Sequence, residues 1–152
     1  MNRQQAIERL LAAWREQRAA ALAVRYFQAA SVSDLRSLDE EELERGDLKA
    51  CQRNLATTYV IRLFAEFEEC LRLYWRHGRR RKSWNTVGAE ALIQSIGAYR
   101  DVPPGFIADA QEVRRLRNNL VHAPGGGRAS GLSLDKCRSR LVRFLSYLPL
   151  SW

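Results

Sequence analysis

The chain has 152 residues, 46% of them hydrophobic, enough to fill one core and short for two. Its 25 Lys and Arg against 17 Asp and Glu give a net charge of +8, carried almost wholly by arginine, whose planar fork suits phosphate; a polyanionic partner is favoured, nucleic acid before membrane. No stretch approaches the roughly 20 apolar residues of a membrane span, and the start MNRQQAIERL lacks an apolar signal core, so a cytoplasmic protein folded as a single domain over 1–152 is expected.

Residues 2 to about 29 contain no Gly or Pro and are rich in Ala, Leu, Arg, Glu and Gln, which predicts a long first helix. Its charges are mixed all round, so it has no clean apolar face for lying on a membrane. A polar stretch follows, in which Ser37 and Glu40 have the spacing of a capping box before a short acidic helical turn that breaks at Gly46. Asp47 then suits the cap of a second long helix reaching about Trp75, with Val60, Leu63, Phe64, Phe67, Leu71 and Tyr74 as its buried stripe.

The segment RHGRRRKSWN is a basic loop with five cations, Arg76, Arg79, Arg80, Arg81 and Lys82. Trp75 and Trp84 stand beside it. Such a loop could funnel an RNA backbone and offer an indole to stack on a base; a solvated surface loop fits it as well. Thr86 suits the cap of a short helix through ALIQSIGAY, ended by the two prolines of DVPPG. A fresh helix is predicted from near Phe106 to His122, where APGGG stops it, and Ser133 suits the cap of a last helix with Leu134, Leu141, Phe144, Leu145 and Leu148 inward. Nothing alternates like a strand over a useful length. The expected fold is all-α, an antiparallel bundle of four to five main helices with one or two short extra ones.

Cys51, Cys70 and Cys137 are odd in number and widely spaced, which suits reduced thiols packed in a core rather than disulfides. Two histidines, His77 and His122, and no Cys or His pair at ligand spacing predict no metal site, and no cofactor is expected. Gly125 to Gly127 lack the Lys and Ser or Thr of a phosphate-binding loop and follow a helix, as a flexible connection would. Trp14 and Trp152 read as packing residues.

The informative segment is RRLRNNLVHAPGGG. At roughly 100° per residue, Phe106, Ala110, Val113, Leu116, Leu120 and Val121 share a broad face, and Arg117 falls within it. A guanidinium there needs an acid or an anion, since an uncompensated buried charge is costly. Glu68, near the apolar stripe of the second helix, is one candidate partner; a substrate phosphate in a cleft, with His122 as the titrating group, is the other, and both can hold together.

Arg117-Asn118-Asn119-Leu120-Val121-His122 resembles the signature of the HEPN family, helical domains of which many are ribonucleases in toxin–antitoxin and antiviral systems. That signature is an Arg, usually followed by a polar residue, then a His after four to six positions near a helix end. The resemblance extends to size, the all-α pattern and a terminal helix after the motif. It implies a metal-independent endoribonuclease acting as a homodimer with a composite site: His122 as base or acid, Arg117 on the phosphate, Asn118 orienting the histidine or the sugar. The implied products are a 2′,3′-cyclic phosphate and a 5′-hydroxyl. A toxin or defence effector with a cognate antitoxin is implied as well. Members with a nucleotidyltransferase antitoxin often carry Tyr two residues beyond the His, where this chain has Pro124, so that tyrosine-directed regulation is not expected. The competing reading is a non-catalytic module of the same family that binds RNA or a protein.

Overall fold

A computed structural model of the chain describes residues 1–33, 45–78, 87–122 and 131–152. Among them are five α-helices and no strand: α1 (Arg3–Ser33), α2 (Arg45–Gly78), α3 (Ala89–Tyr99), α4 (Pro104–His122) and α5 (Leu134–Leu145). The expected acidic turn after α1 and Thr86 lie outside the described residues; the N-cap of α3 is Gly88 rather than Thr86, and the break expected at Gly46 does not occur there, since a glycine is tolerated in the first turn of α2.

α1 starts at a reciprocal cap. Asn2 Oδ1 accepts from the Gln5 N–H at 2.8 Å while Gln5 Oε1 accepts from the Asn2 N–H at 2.9 Å, satisfying two donors that the helix start would otherwise leave open. Asp47 does not cap α2: the helix begins two residues earlier at Arg45, and Asp47 sits in its first turn, where a carboxylate still favours the helix dipole. All six residues of the predicted stripe of α2 are buried, joined by Cys70 and Trp75. Phe67 anchors the centre, with its ring 5.8 Å from Phe64 and 5.5 Å, edge-on, from Phe144 of α5.

α3 ends before the prolines act. The Val102 N–H donates to the Gly97 carbonyl at 2.9 Å and Asp101 takes φ 52°, the left-handed turn of a Schellman ending, with Val102 tucked into the core. α4 then begins at Pro104, two residues before the predicted start, because a proline's fixed φ suits the first helical position and its missing N–H costs nothing there. Gly97 lets the two helices close up: a Cβ there would stand 2.6 Å from Ile107 Cδ1. Ser133 caps α5 as predicted, its Oγ accepting from the Lys136 N–H at 3.3 Å.

Cross-links fix the antiparallel order. Arg9 meets Glu66 at 2.7 Å and Arg62 meets Glu16 at 2.5 Å between α1 and α2. Arg114 meets Glu90 at 2.7 Å between α4 and α3, and Arg140 of α5 bridges Asp109 and Glu112 of α4 at 3.0 and 2.6 Å. One core joins all five helices.

That core covers only half of the two long helices. α1 buries Ala6, Leu10 and Ala13, α2 buries nothing before Val60, and no described side chain from Trp14 to Tyr59 is buried. The distal part of α1 and the first part of α2 form a two-helix arm beyond the bundle, on which Leu22 and Tyr26 are 52% and 70% exposed. No described helix is long and apolar enough to cross a membrane.

Candidate functional site

α4 places the motif. Ala110, Val113 and Leu116 are buried, Phe106 and Leu120 partly so, and Arg117 follows Leu116 on the flank of this stripe. Val121, predicted to share the apolar face, is 41% exposed, because α4 has by then run past the last core layer.

The Arg117 guanidinium lies over the Phe64 ring of α2, 6.0 Å from its centroid, and its Nη1 donates to Asn118 Oδ1 at 3.0 Å. Its Nε is buried with no hydrogen-bond partner, and among the described residues it makes no ion pair. The expected partner Glu68 is taken: its Oε1 accepts from Arg72 at 3.1 Å (Nε) and 2.5 Å (Nη2), and Arg72 also donates to the Val87 carbonyl at 3.1 Å. Residues four apart on one helix face each other, so the local pair prevails over the one between helices.

His122 is the last residue of α4 and is exposed. It is five positions from Arg117, which sets the two side chains about 7.5 Å apart along the axis and roughly 140° apart around it. Asn118 is four positions from His122 and so shares its face. Its bond to Arg117 links the guanidinium to the histidine side of the helix.

No protein-family model matches this chain, and no significant match is found among curated proteins or solved structures.

α4 runs antiparallel to α2, so the motif ends near the root of the arm. The basic segment leaves from the other end of α2, where His77 lies about 20 Å from Phe64 along the helix. Arg79, Arg80, Arg81, Lys82 and Trp84 lie outside the described residues, as do Pro124 and Gly125 to Gly127. Trp75 is not available for base stacking: it is 5% exposed, with its ring edge-on to Tyr99 at 6.5 Å.

Cys70 and Cys137 are buried and free, and burial pushes each thiol up to about 11, which removes both as nucleophiles near neutral pH. Cys51 is exposed on the arm, contrary to its expected place in the core, because the described bundle core begins only at Val60 of α2. Among the described residues no group of three His, Cys, Asp or Glu is arranged to hold a metal ion.

The cations of α5 were missed as a site by sequence reading. Lys136, Arg138, Arg140 and Arg143 look like the solvated face of an amphipathic helix, and only the return of α5 along α4 from its His122 end gives them a location.

Proposed function

We propose that this chain is a metal-independent endoribonuclease of the HEPN type, acting as a homodimer in which two copies of the Arg117–His122 motif share one cleft. The observation that carries the reading is the half-buried Arg117 guanidinium, which among the described residues has no carboxylate and an unmatched Nε, yet is held by Asn118, one turn from the exposed His122. A cation held without a counter-charge is costly unless an anion completes it, and a substrate phosphate is such an anion.

In the reaction His122 takes the proton of the ribose 2′-OH, and the 2′-oxygen attacks the phosphorus. The bond to the 5′-oxygen then breaks as that oxygen receives a proton from the second histidine of the dimer. Arg117 holds the charge that builds on the phosphorane oxygens. The angular separation of Arg117 and His122 on one helix supports a composite site, since a second protomer supplies the groups that one helix cannot turn toward the same phosphate. A role as a toxin or defence effector with a protein antitoxin belongs to the same proposal.

The test is incubation of purified wild type and His122→Ala with mixed RNA in EDTA, followed by chemical identification of the fragment ends. Cleavage by the wild type alone, leaving 2′,3′-cyclic phosphates, is expected. Intact RNA with both proteins, together with RNA binding, would favour the non-catalytic module.

A further inference from the structure

We infer that α5 and the arm portion of α1 form a track for a single-stranded RNA backbone that leads to the His122 end of α4. This rests on the ribonuclease reading for what happens at the end of the track, while the track itself is defined by binding.

A groove of about 740 Å³ runs along α5, lined by Lys136, Arg138, Arg140 and Arg143 together with two carboxylates, Glu112 and Asp135. Both carboxylates are already engaged. Glu112 is held by Arg140, which also bridges Asp109. Asp135 accepts from Trp14 Nε1 at 2.7 Å and stands 4.0 Å from Arg138. Lys136 and Arg143, both exposed and seven positions apart on one face, have no carboxylate partner among the described residues and stand about 10 Å apart along the helix. Arg143 is steadied over the Phe106 ring at 5.7 Å, which aims its fork without neutralising it.

Trp14 stands between this groove and the next part of α1. Arg138 lies 4.3 Å and Arg18 4.9 Å from the centroid of that ring, so an indole carries a guanidinium from each of two helices. Beyond it a second groove of about 390 Å³ follows α1, with Arg18, Leu22 and Arg25 along it and the ring of Tyr26 one turn from Leu22. Cations spaced along a groove with an exposed ring beside them are what a single strand uses, phosphates on the guanidinium groups and a base on Tyr26. An acidic peptide would use the charges and leave the ring idle.

Position completes the case. Arg143 of α5 lies over Phe106 while Arg140 pairs with Asp109 and Glu112, so α5 runs antiparallel to α4 and the Gly131 and Asp135 end of the groove lies toward the helix end that carries His122. A backbone lying on α5 is thereby delivered to the motif.

The experiment measures binding of a short fluorescein-labelled oligouridylate by anisotropy, in EDTA and across a salt series, in the His122→Ala protein so that no strand is cut. Adding Lys136→Gln and Arg143→Gln together is expected to weaken binding about tenfold or more. It should also flatten the slope of log affinity on log salt by about 1.4, two phosphate contacts of a single strand, with the melting temperature unchanged. Tyr26→Ala, on an exposed helix surface, is expected to weaken binding about tenfold through lost stacking. Affinity and slope unchanged in both variants would overturn the track, as would a poly-glutamate peptide that competes as well as RNA of equal charge. Binding lost in the variants while the wild type cleaves nothing would uphold the track and reject the ribonuclease. Cleavage with unaltered binding would do the reverse.

Discussion

Arg117 and Arg72 show how differently two half-buried guanidinium groups are treated in this protein. Arg72 has a carboxylate and a carbonyl, whereas Arg117 has the amide of Asn118 and the face of Phe64. Removing a cation that has no counter-charge among the described residues costs the fold little, so Arg117→Met is expected to leave stability unchanged or raise it by up to about 1 kcal/mol while RNA cleavage falls at least a hundredfold. Thermal melting and a cleavage assay on the same preparation check both halves, and a loss of stability above about 2 kcal/mol would make Arg117 a structural residue. The helical wheel located Arg117 on the buried flank of α4 correctly, because the angle around one helix follows from residue spacing alone. It misassigned Glu68, because which acid faces which base across two helices depends on how they are rotated against each other.

At the level of elements, the contrast is between covered and uncovered helix. Leu63 is fully buried between layers, while Leu55, eight residues earlier on α2, is only half-buried on the arm. Leu63→Ala is expected to cost about 2–5 kcal/mol and Leu55→Ala less than about 1 kcal/mol, measured by urea denaturation, since only the first opens a cavity. Comparable losses would mean that the arm is packed in solution as tightly as the core. The stripe of α2 was legible from residue 60 onward because six apolar side chains recur at helical spacing. The arm was not, because the Ala, Leu, Arg and Gln of α1 favour helix equally with or without a neighbour, and propensity carries no information about a third layer. The start of α4 at Pro104 and the left-handed Asp101 escaped for a related reason: two prolines announce a break, while the hydrogen bonds of Val102 and Phe106 decide on which residue each helix stops and starts.

For the whole molecule, the proposed composite site predicts complementation. Arg117→Ala and His122→Ala proteins should each be inert on RNA, and a mixture allowed to exchange subunits should regain a measurable part of the wild-type rate, since one mixed dimer still offers an arginine and a histidine across its cleft. A mixture as inert as its components would mean that each chain works alone, or that the motif is not catalytic. The net charge of +8 indicated a polyanionic partner, but charge is a sum over the chain and has no address. By itself the sequence determined the all-α class, the buried stripes of α2, α4 and α5, the cap at Ser133 and the placing of Arg117 and His122 near one helix end, because each depends on neighbours within a turn or two of the same helix. Only the tertiary structure decided that Arg117 goes without Glu68, that Trp75 is core, that half of α1 and α2 stands outside the bundle, and that Arg138 of α5 and Arg18 of α1 meet over Trp14. Those outcomes depend on contacts between residues far apart in the chain, which periodicity along one helix cannot encode.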